Sequence, residues 1–465
     1  MSIHTAFMPL ASPGIAAAAD WQKTFFEILC GRPPAVWEQV TASVVIIAAV
    51  FLPSVLLLAM FSIWWERKVA GHIQSRPGPN RVGPIGLLQS LADGIKLLLK
   101  EDLRPTAADP ILFRLAPYLS FAPVFAAFLA LPFGPNLTFE PKLNAGVFWI
   151  LAVLSIEVMG VILAGWSSNN KWAVYGAMRE ACQMVSYEIP LGLSIIVGVM
   201  AAGTLNLVEL GHLQGGGIHT WVVFKNPFVF CSFLVYFIAS LASNKRAPFD
   251  LPESESELVA GFHTEYSGMR FAFFFFAEYA AMFVVGSIQT ALFLGGWNDP
   301  FGLIGHYYSQ WIADPAAHRN ALVLLNLAAV GIFCIKALGI VFVQMWLRWT
   351  LPRPRIDQVL YACVKILIPA ACVLLLGGAL WELLVPSWHQ AKLIENPLPW
   401  FHYNPLSWSD WAKGGATTSL VVQVILALIG VSLVSAVACW VGYAFMTGRK
   451  MKQRLTEADP IPELA

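Results

Sequence analysis

The sequence predicts an all-α, polytopic transmembrane helical bundle of about nine spans. Of its 465 residues, 57% are hydrophobic and only 12% charged, with a mean hydropathy of +0.65. A soluble domain carries about twice that share of charge. The apolar residues are also gathered into repeated runs long enough to cross ~30 Å of hydrocarbon, where a backbone must satisfy its own hydrogen bonds. Length alone would allow two or three soluble domains, but the runs argue for one membrane domain. A net charge of +1 gives no reason to expect nucleic acid.

Residues 1–43 form an N-terminal arm. Ile15–Ala19 could pass for the centre of a signal peptide, yet no Lys or Arg precedes Lys23. Without that basic region the arm is expected to be retained. Residues 44–385 hold eight spans: Val44–Trp65, Leu115–Pro132, Val147–Trp166, Ala181–Ala202, Phe228–Ala242, Phe271–Trp297, Ala321–Trp346 and Tyr361–Leu384. The fifth is short, so a further turn at each end is expected. Pro190 removes a backbone donor inside the fourth and predicts a kink there. Residues 386–465 add an outer loop, a ninth span at Val421–Phe445 and a basic tail. No internal repeat stands out, unlike many transporters.

Lys and Arg set the orientation. Arg67, Lys68, Arg76, Arg81, Lys96, Lys100, Arg104, Lys171, Lys245, Arg246, Arg348, Arg353, Arg355 and the tail cations fall on one side. Fewer fall on the other, among them Lys23, Arg32, Lys142, Lys225 and Arg319. The excess predicts a cytoplasmic C-terminus and an N-terminus outside, as an odd number of spans requires.

The first inner loop is interrupted from Pro77 to Pro84 by prolines and glycines. After it, Leu88, Leu91, Ala92, Ile95, Leu98 and Leu99 recur at helical spacing, with Asp93, Lys96 and Lys100 between them. That is an amphipathic helix in the interface plane. It has two readings: a membrane-surface anchor, or the roof of a cavity for an amphipathic ligand.

The seven cysteines never fall two or three residues apart, so no cysteine-ligated cluster or structural zinc is expected from this chain. Its nine histidines all lie outside the predicted spans, which argues against haem held between membrane helices.

Acids are the distinctive feature. Asp250, Glu253, Glu255, Glu257 and Glu265 crowd one loop. A second amphipathic helix is expected there, started by Pro252 and burying Leu251, Leu258, Val259 and Phe262. Glu253 and Glu257 would share its face at i, i+4, where like charges repel and protons can be shared. The competing reading is a solvated loop paired with Lys245, Arg246 and Arg270. Glu157, Glu188 and Glu278 fall inside predicted spans, with Glu180 near the end of one. A charge at mid-bilayer costs roughly 3 kcal/mol, so such residues commonly serve ion or proton pathways. Tyr187, Tyr266 and Tyr279 each follow or precede one of these acids, although adjacent helical residues do not face each other. Arg67, Arg76, Asp93, Lys96, Arg353 and Arg355 form a further set beside prolines and apolar residues. They suit either the polar head of a long-tailed ligand or anionic lipid.

The stretches ERKVAGHIQSRPGPNRVGPIGLLQSLADGIKLLLKED, GWSSNNKW, QMVSYEIPLG, RAPFDLPESESELVAGFHTEYSGMRFAFFFFAEYA and RWTLPRPRIDQ resemble the H-subunit family of bacterial NADH–quinone oxidoreductase, respiratory complex I. The resemblance covers roughly Val44 to Leu384. It implies a subunit of the bacterial inner membrane that binds no cofactor itself, its peripheral-arm partners carrying FMN and iron–sulfur clusters. Quinone would be its substrate, and the small membrane-arm subunits further partners. It also implies that Arg67, Arg76, Asp93, Lys96 and Arg355 line a quinone path. Glu188, Asp250, Glu253, Glu255, Glu257, Glu265 and Glu278 would form a carboxylate row coupling quinone reduction to proton translocation. Glu157 joins that row on the cost of intramembrane charge alone. Two other readings are a membrane subunit of an energy-converting hydrogenase or ferredoxin-linked complex, and a stand-alone proton-coupled transporter.

Overall fold

The computed structural model describes residues 51–135, 137–138, 143–252, 255–312 and 319–384, with positions 49 and 432. Among these residues every regular element is helical. In chain order they are α1 (Leu52–Ile73), α2 (Gln89–Leu99), α3 (Pro110–Phe128), α4 (Gly146–Ser167), α5 (Lys171–Ala202), α6 (Leu207–Leu213) and α7 (Pro227–Ser243). Then follow the single turn α8 (Glu255–Leu258), α9 (Gly268–Phe293), α10 (Leu303–Ile312), α11 (Arg319–Thr350), α12 (Ile356–Ala362) and α13 (Ile368–Leu384). A π-helical turn, Cys363–Leu367, joins the last two.

Six of these stretches are long and apolar enough to cross a membrane: α3, α4, α5, α9, Asn320–Thr350 within α11, and Ile356–Glu382 across α12 and α13. The described part of the first predicted span is α1, whose second half carries Glu66, Arg67 and Lys68. The ninth predicted span and the N-terminal arm lie outside the described residues. The fifth span, α7, gains one residue at each end rather than a turn. Asn226 caps its start by accepting the Phe228 N–H, and Asn244 closes its end. By contrast α5 starts at Lys171, ten residues before the apolar run at Ala181. Asn170 caps it, and Ala173, Gly176, Ala177 and Glu180 in the added part are buried.

The core is organised around α9. Every residue from Ala277 to Phe293 is buried, and α9 packs against α1, α2, α3 and α11. The other layer is built from α4, α5, α7 and α13, with α3 against α4. Phe128 stacks on Phe283, with ring centroids 5.8 Å apart, where α3 meets α9. Lys336, midway along α11, is tolerated because its ammonium donates to the carbonyls of Leu294, Gly296 and Asn298 beyond the C-terminus of α9. A cation there also complements the helix dipole.

The acidic loop departs from expectation. Its described part holds the one turn α8, then Val259 in left-handed backbone at φ 67° and a 3₁₀ turn at Gly261–His263. Val259 is exposed instead of joining an apolar helix face. A β-branched residue in that backbone region ends the helix. The loop is still seated firmly. A Cβ on Gly176 would stand 2.8 Å from the Phe262 nitrogen, so only glycine lets α5 lie this close to it.

Candidate functional site: a buried charge network

The site begins where α7 ends. Lys245 takes left-handed backbone at φ 55° and turns the chain inward, so that Lys245 and Arg246 are both buried. The two consecutive cations serve opposite sides. Lys245 Nζ lies 2.9 Å from Glu157 Oε1 of α4 and 2.6 Å from Glu180 Oε1 of α5. Arg246 Nε lies 2.8 Å from Glu278 Oε1 of α9, and its Nη1 reaches Glu66 Oε2 of α1 at 3.2 Å. The Arg246 guanidinium also covers the Tyr279 ring at 4.1 Å from its centroid. The other Glu66 oxygen accepts from Arg348 of α11.

Two chains of charge, Glu157–Lys245–Glu180 and Arg348–Glu66–Arg246–Glu278, are therefore joined through one peptide bond. Isolated charges would be costly at this depth, and mutual pairing makes them tolerable. Burial pushes the Lys245 ammonium towards neutrality, but Glu157 and Glu180 outweigh it and hold its pKa well above the ordinary value. Gln183 fixes the turn by donating to the Ala242 and Phe249 carbonyls at 2.7 and 2.8 Å. Asn244 donates to Gln344 of α11 at 3.2 Å. Within the network Glu66, Glu157, Glu180 and Glu278 face Lys245, Arg246 and Arg348, so carboxylates outnumber cations by one.

Glu157 and Glu188 line one cavity of about 180 Å³, together with Ser155, Tyr236, Asn244 and Ala281. Its polar lining and size suit several waters.

The other acids of the expected row stand apart from the network. Asp250 pairs with Arg353 at 2.8 Å, Glu257 pairs with Arg179, and Glu265 accepts from Asn170 Nδ2 at 2.6 Å. Glu253 lies outside the described residues, as does the side chain of Glu255, whose backbone opens α8. The tyrosines beside these acids go elsewhere. Tyr187 donates to the Val359 carbonyl at 2.9 Å, and Tyr266 to that of Phe113 at 3.3 Å. Nearby, burial and the positive charge of Lys245 push the His263 imidazole down to about 4.

Of the cationic set, three residues come together. Arg67 of α1 pairs with Asp93 of α2 at 2.5 Å, and Lys96 lies 4.0 Å from the same carboxylate. Burial raises the Asp93 pKa, but hydrogen bonds from Arg67 and Gln89 and the charges of Arg67 and Lys96 outweigh it and hold it low. Below them α2 exposes Leu88, Leu91, Ile95, Leu98 and Leu99. Arg76 donates to Gln74 at 2.8 Å, and Arg355 stands exposed at the start of α12.

Sequence reasoning treats Lys245 and Arg246 as loop countercharges and passes over Glu66 and Arg348. Their signal is present all the same. Acids inside apolar runs need cations, and the nearest follow α7 directly as NKR.

The NADH dehydrogenase family model matches residues 45–379. The H subunit of NADH-quinone oxidoreductase from Chlorobium luteolum is 47% identical over 344 residues, covering 73% of this chain and 90% of the relative. The H subunit from Anaeromyxobacter dehalogenans is 45% identical over 339 residues, covering 71% and 79%. A second-copy H subunit from Cytophaga hutchinsonii is 44% identical over 359 residues, covering 71% and 96%. Together with the apolar helices, these matches make this a multi-pass membrane protein, and the chain belongs to the NADH dehydrogenase family as an H subunit of an NADH–quinone oxidoreductase complex.

Proposed function

We propose that this subunit forms the quinone entry and part of the quinone chamber, and that its buried charges couple quinone reduction to proton translocation. The observation that carries this reading is the network in which Lys245 and Arg246 tie acids of α1, α4, α5 and α9 together. Reducing a quinone to its quinol takes up two electrons and two protons, so it changes both charge and proton demand nearby. A network with one carboxylate in excess of its cations can hold one proton without leaving a cation bare. The proton's place among Glu157, Glu180 and Glu278 then depends on where the cations lean. Glu188, across the cavity from this set, extends the path through water. Asp250, Glu253, Glu255, Glu257 and Glu265 form its loop end.

Arg67, Asp93 and Lys96 supply a charged mouth above the apolar face of α2, with Arg76 and Arg355 completing it. That pairing of charge with an apolar slot suits a polar head on an isoprenoid tail. No residue of this chain performs the redox step. FMN and iron–sulfur clusters belong to peripheral-arm partners, and small membrane-arm subunits are its other neighbours. The subunit sits in the bacterial inner membrane, its N-terminus outside and its C-terminus in the cytoplasm.

Two variants of the intact complex test this reading. Glu278→Gln and Glu255→Gln are each expected to lower quinone-linked NADH oxidation and proton pumping by about a hundredfold, the scale of a lost proton-transfer group. NADH oxidation by an artificial acceptor should persist. Wild-type pumping in both would sink the carboxylate row. Co-purification of nickel and hydrogenase activity, in place of FMN and NADH–quinone activity, would move the subunit to an energy-converting hydrogenase.

A further inference from the structure

Pro190 lies within α5, which continues to Ala202. Lacking an N–H, proline cannot donate to the carbonyl four residues earlier. That carbonyl belongs to Ser186, one turn before Pro190, and Glu188 lies between the two. Inside a membrane no bulk water can satisfy it, and an unpaired buried carbonyl is costly. Cys363 takes the missing place: its Sγ donates to Ser186 O at 2.9 Å. Cys363 is fully buried and opens the π-helical turn Cys363–Leu367. Such turns are rare and commonly mark functional places.

The bond belongs to a closed circuit. Tyr187 donates to Val359 O at 2.9 Å, so α5 is fastened to α12 at two adjacent residues. The Tyr187 ring lies 5.5 Å from that of Phe249, whose carbonyl accepts from Gln183, also of α5. The next residue, Asp250, is paired with Arg353, three residues before α12. A shift of the Asp250–Arg353 pair is thus passed through the short helix α12 to the turn of α5 that carries Glu188.

We propose that Cys363 is a positioning residue for Glu188. Its thiol holds the carbonyl orphaned by Pro190 and so sets where Glu188 stands in the cavity it shares with Glu157. This rests on the reading that Glu188 takes part in proton coupling. No reaction occurs at the thiol, which acts only as a hydrogen-bond donor.

The test uses the intact complex in membranes. Cys363→Ala removes the donor and is expected to lower quinone-linked NADH oxidation by about fivefold, the scale of one lost hydrogen bond. Cys363→Ser keeps a donor and should restore the rate to within about twofold. Artificial-acceptor oxidation reports assembly and should not change. In the Glu188→Gln background, Cys363→Ala should add nothing further, because both substitutions act on one group. The infrared S–H stretch lost in Cys363→Ala should lie at the low frequency of a strongly bonded thiol. Wild-type rate in Cys363→Ala, equal damage in Cys363→Ser, or additive losses in the double variant would each overturn the proposal. Wild-type turnover in Glu188→Gln would overturn the reading of Glu188 as well. Failure of the thiol alone differs from this, because Glu188→Gln would then be slow and Cys363→Ala normal.

Discussion

Two groups of ion pairs in this subunit use the same chemistry in different solvents. In the interior, Lys245 and Arg246 are 5% and 3% exposed and gather carboxylates from α1, α4, α5 and α9. On the surface, Arg67, Asp93 and Lys96 join α1 to α2 with Arg67 and Lys96 largely open to solvent. An exposed pair contributes ~0–1 kcal/mol and is screened by salt. A buried one contributes little against an apolar replacement, but breaking it strands a charge at several kcal/mol. The interior set therefore dictates how the helices assemble, and the surface set is free to rearrange around a ligand.

The sharpest way to break this contrast is to remove one interior cation. Arg246→Met strands Glu66 and Glu278 and should destabilise the subunit by about 3–5 kcal/mol. The expected result is loss of assembled complex on native gels, with partial recovery in Arg246→Lys. Wild-type yield and melting would mean that the interior pairs do not govern assembly. Lys245→Met should cost somewhat less, about 3 kcal/mol, because Glu157 and Glu180 can share a proton once the ammonium is gone. Thermal unfolding in detergent reads the difference.

An intermediate effect is expected from pH. The folded protein holds His263 at about 4, whereas an unfolded chain titrates it near 6.5. The unfolded state therefore binds more protons between those values, and stability should fall as pH drops through that window. Melting temperature should decline from about pH 7 to about pH 5, and His263→Gln should flatten the decline. An unchanged slope would show that the imidazole is not held neutral. The smallest effect belongs to the surface. Arg67→Ala should cost under ~1 kcal/mol, with the loss vanishing at high salt. A large, salt-independent loss would erase the distinction between the two groups.

The spans were readable because hydrocarbon permits so few backbone structures. Val147–Trp166 became Gly146–Ser167 within a residue at either end. The amphipathic helix after Pro84 was readable for a related reason, since its apolar and charged residues separate at helical spacing. Where composition stops being apolar the signal fades. The first ten residues of α5 read KWAVYGAMRE and gave no span, although tertiary packing makes them helical and buries Glu180. The acidic loop misled in the other direction, because its apolar spacing implied a helix that left-handed Val259 cuts to one turn. Among the acids, Glu157, Glu188 and Glu278 were visible as charges inside apolar runs, but their neighbours were not.

Composition and hydropathy were sufficient to establish a helical membrane protein, and the peculiar motifs sufficient to establish its family. Both follow from rules that act locally along the chain. The pairing of charges required the folded molecule. Lys245 meets Glu157 across 88 residues of sequence, Arg246 meets Glu66 across 180, and Arg348 meets Glu66 across 282. Cys363 finds the carbonyl orphaned by Pro190 across 177. No local pattern records such meetings. They arise because helices packed in a membrane must satisfy every buried charge and carbonyl from whichever neighbour the fold places within reach.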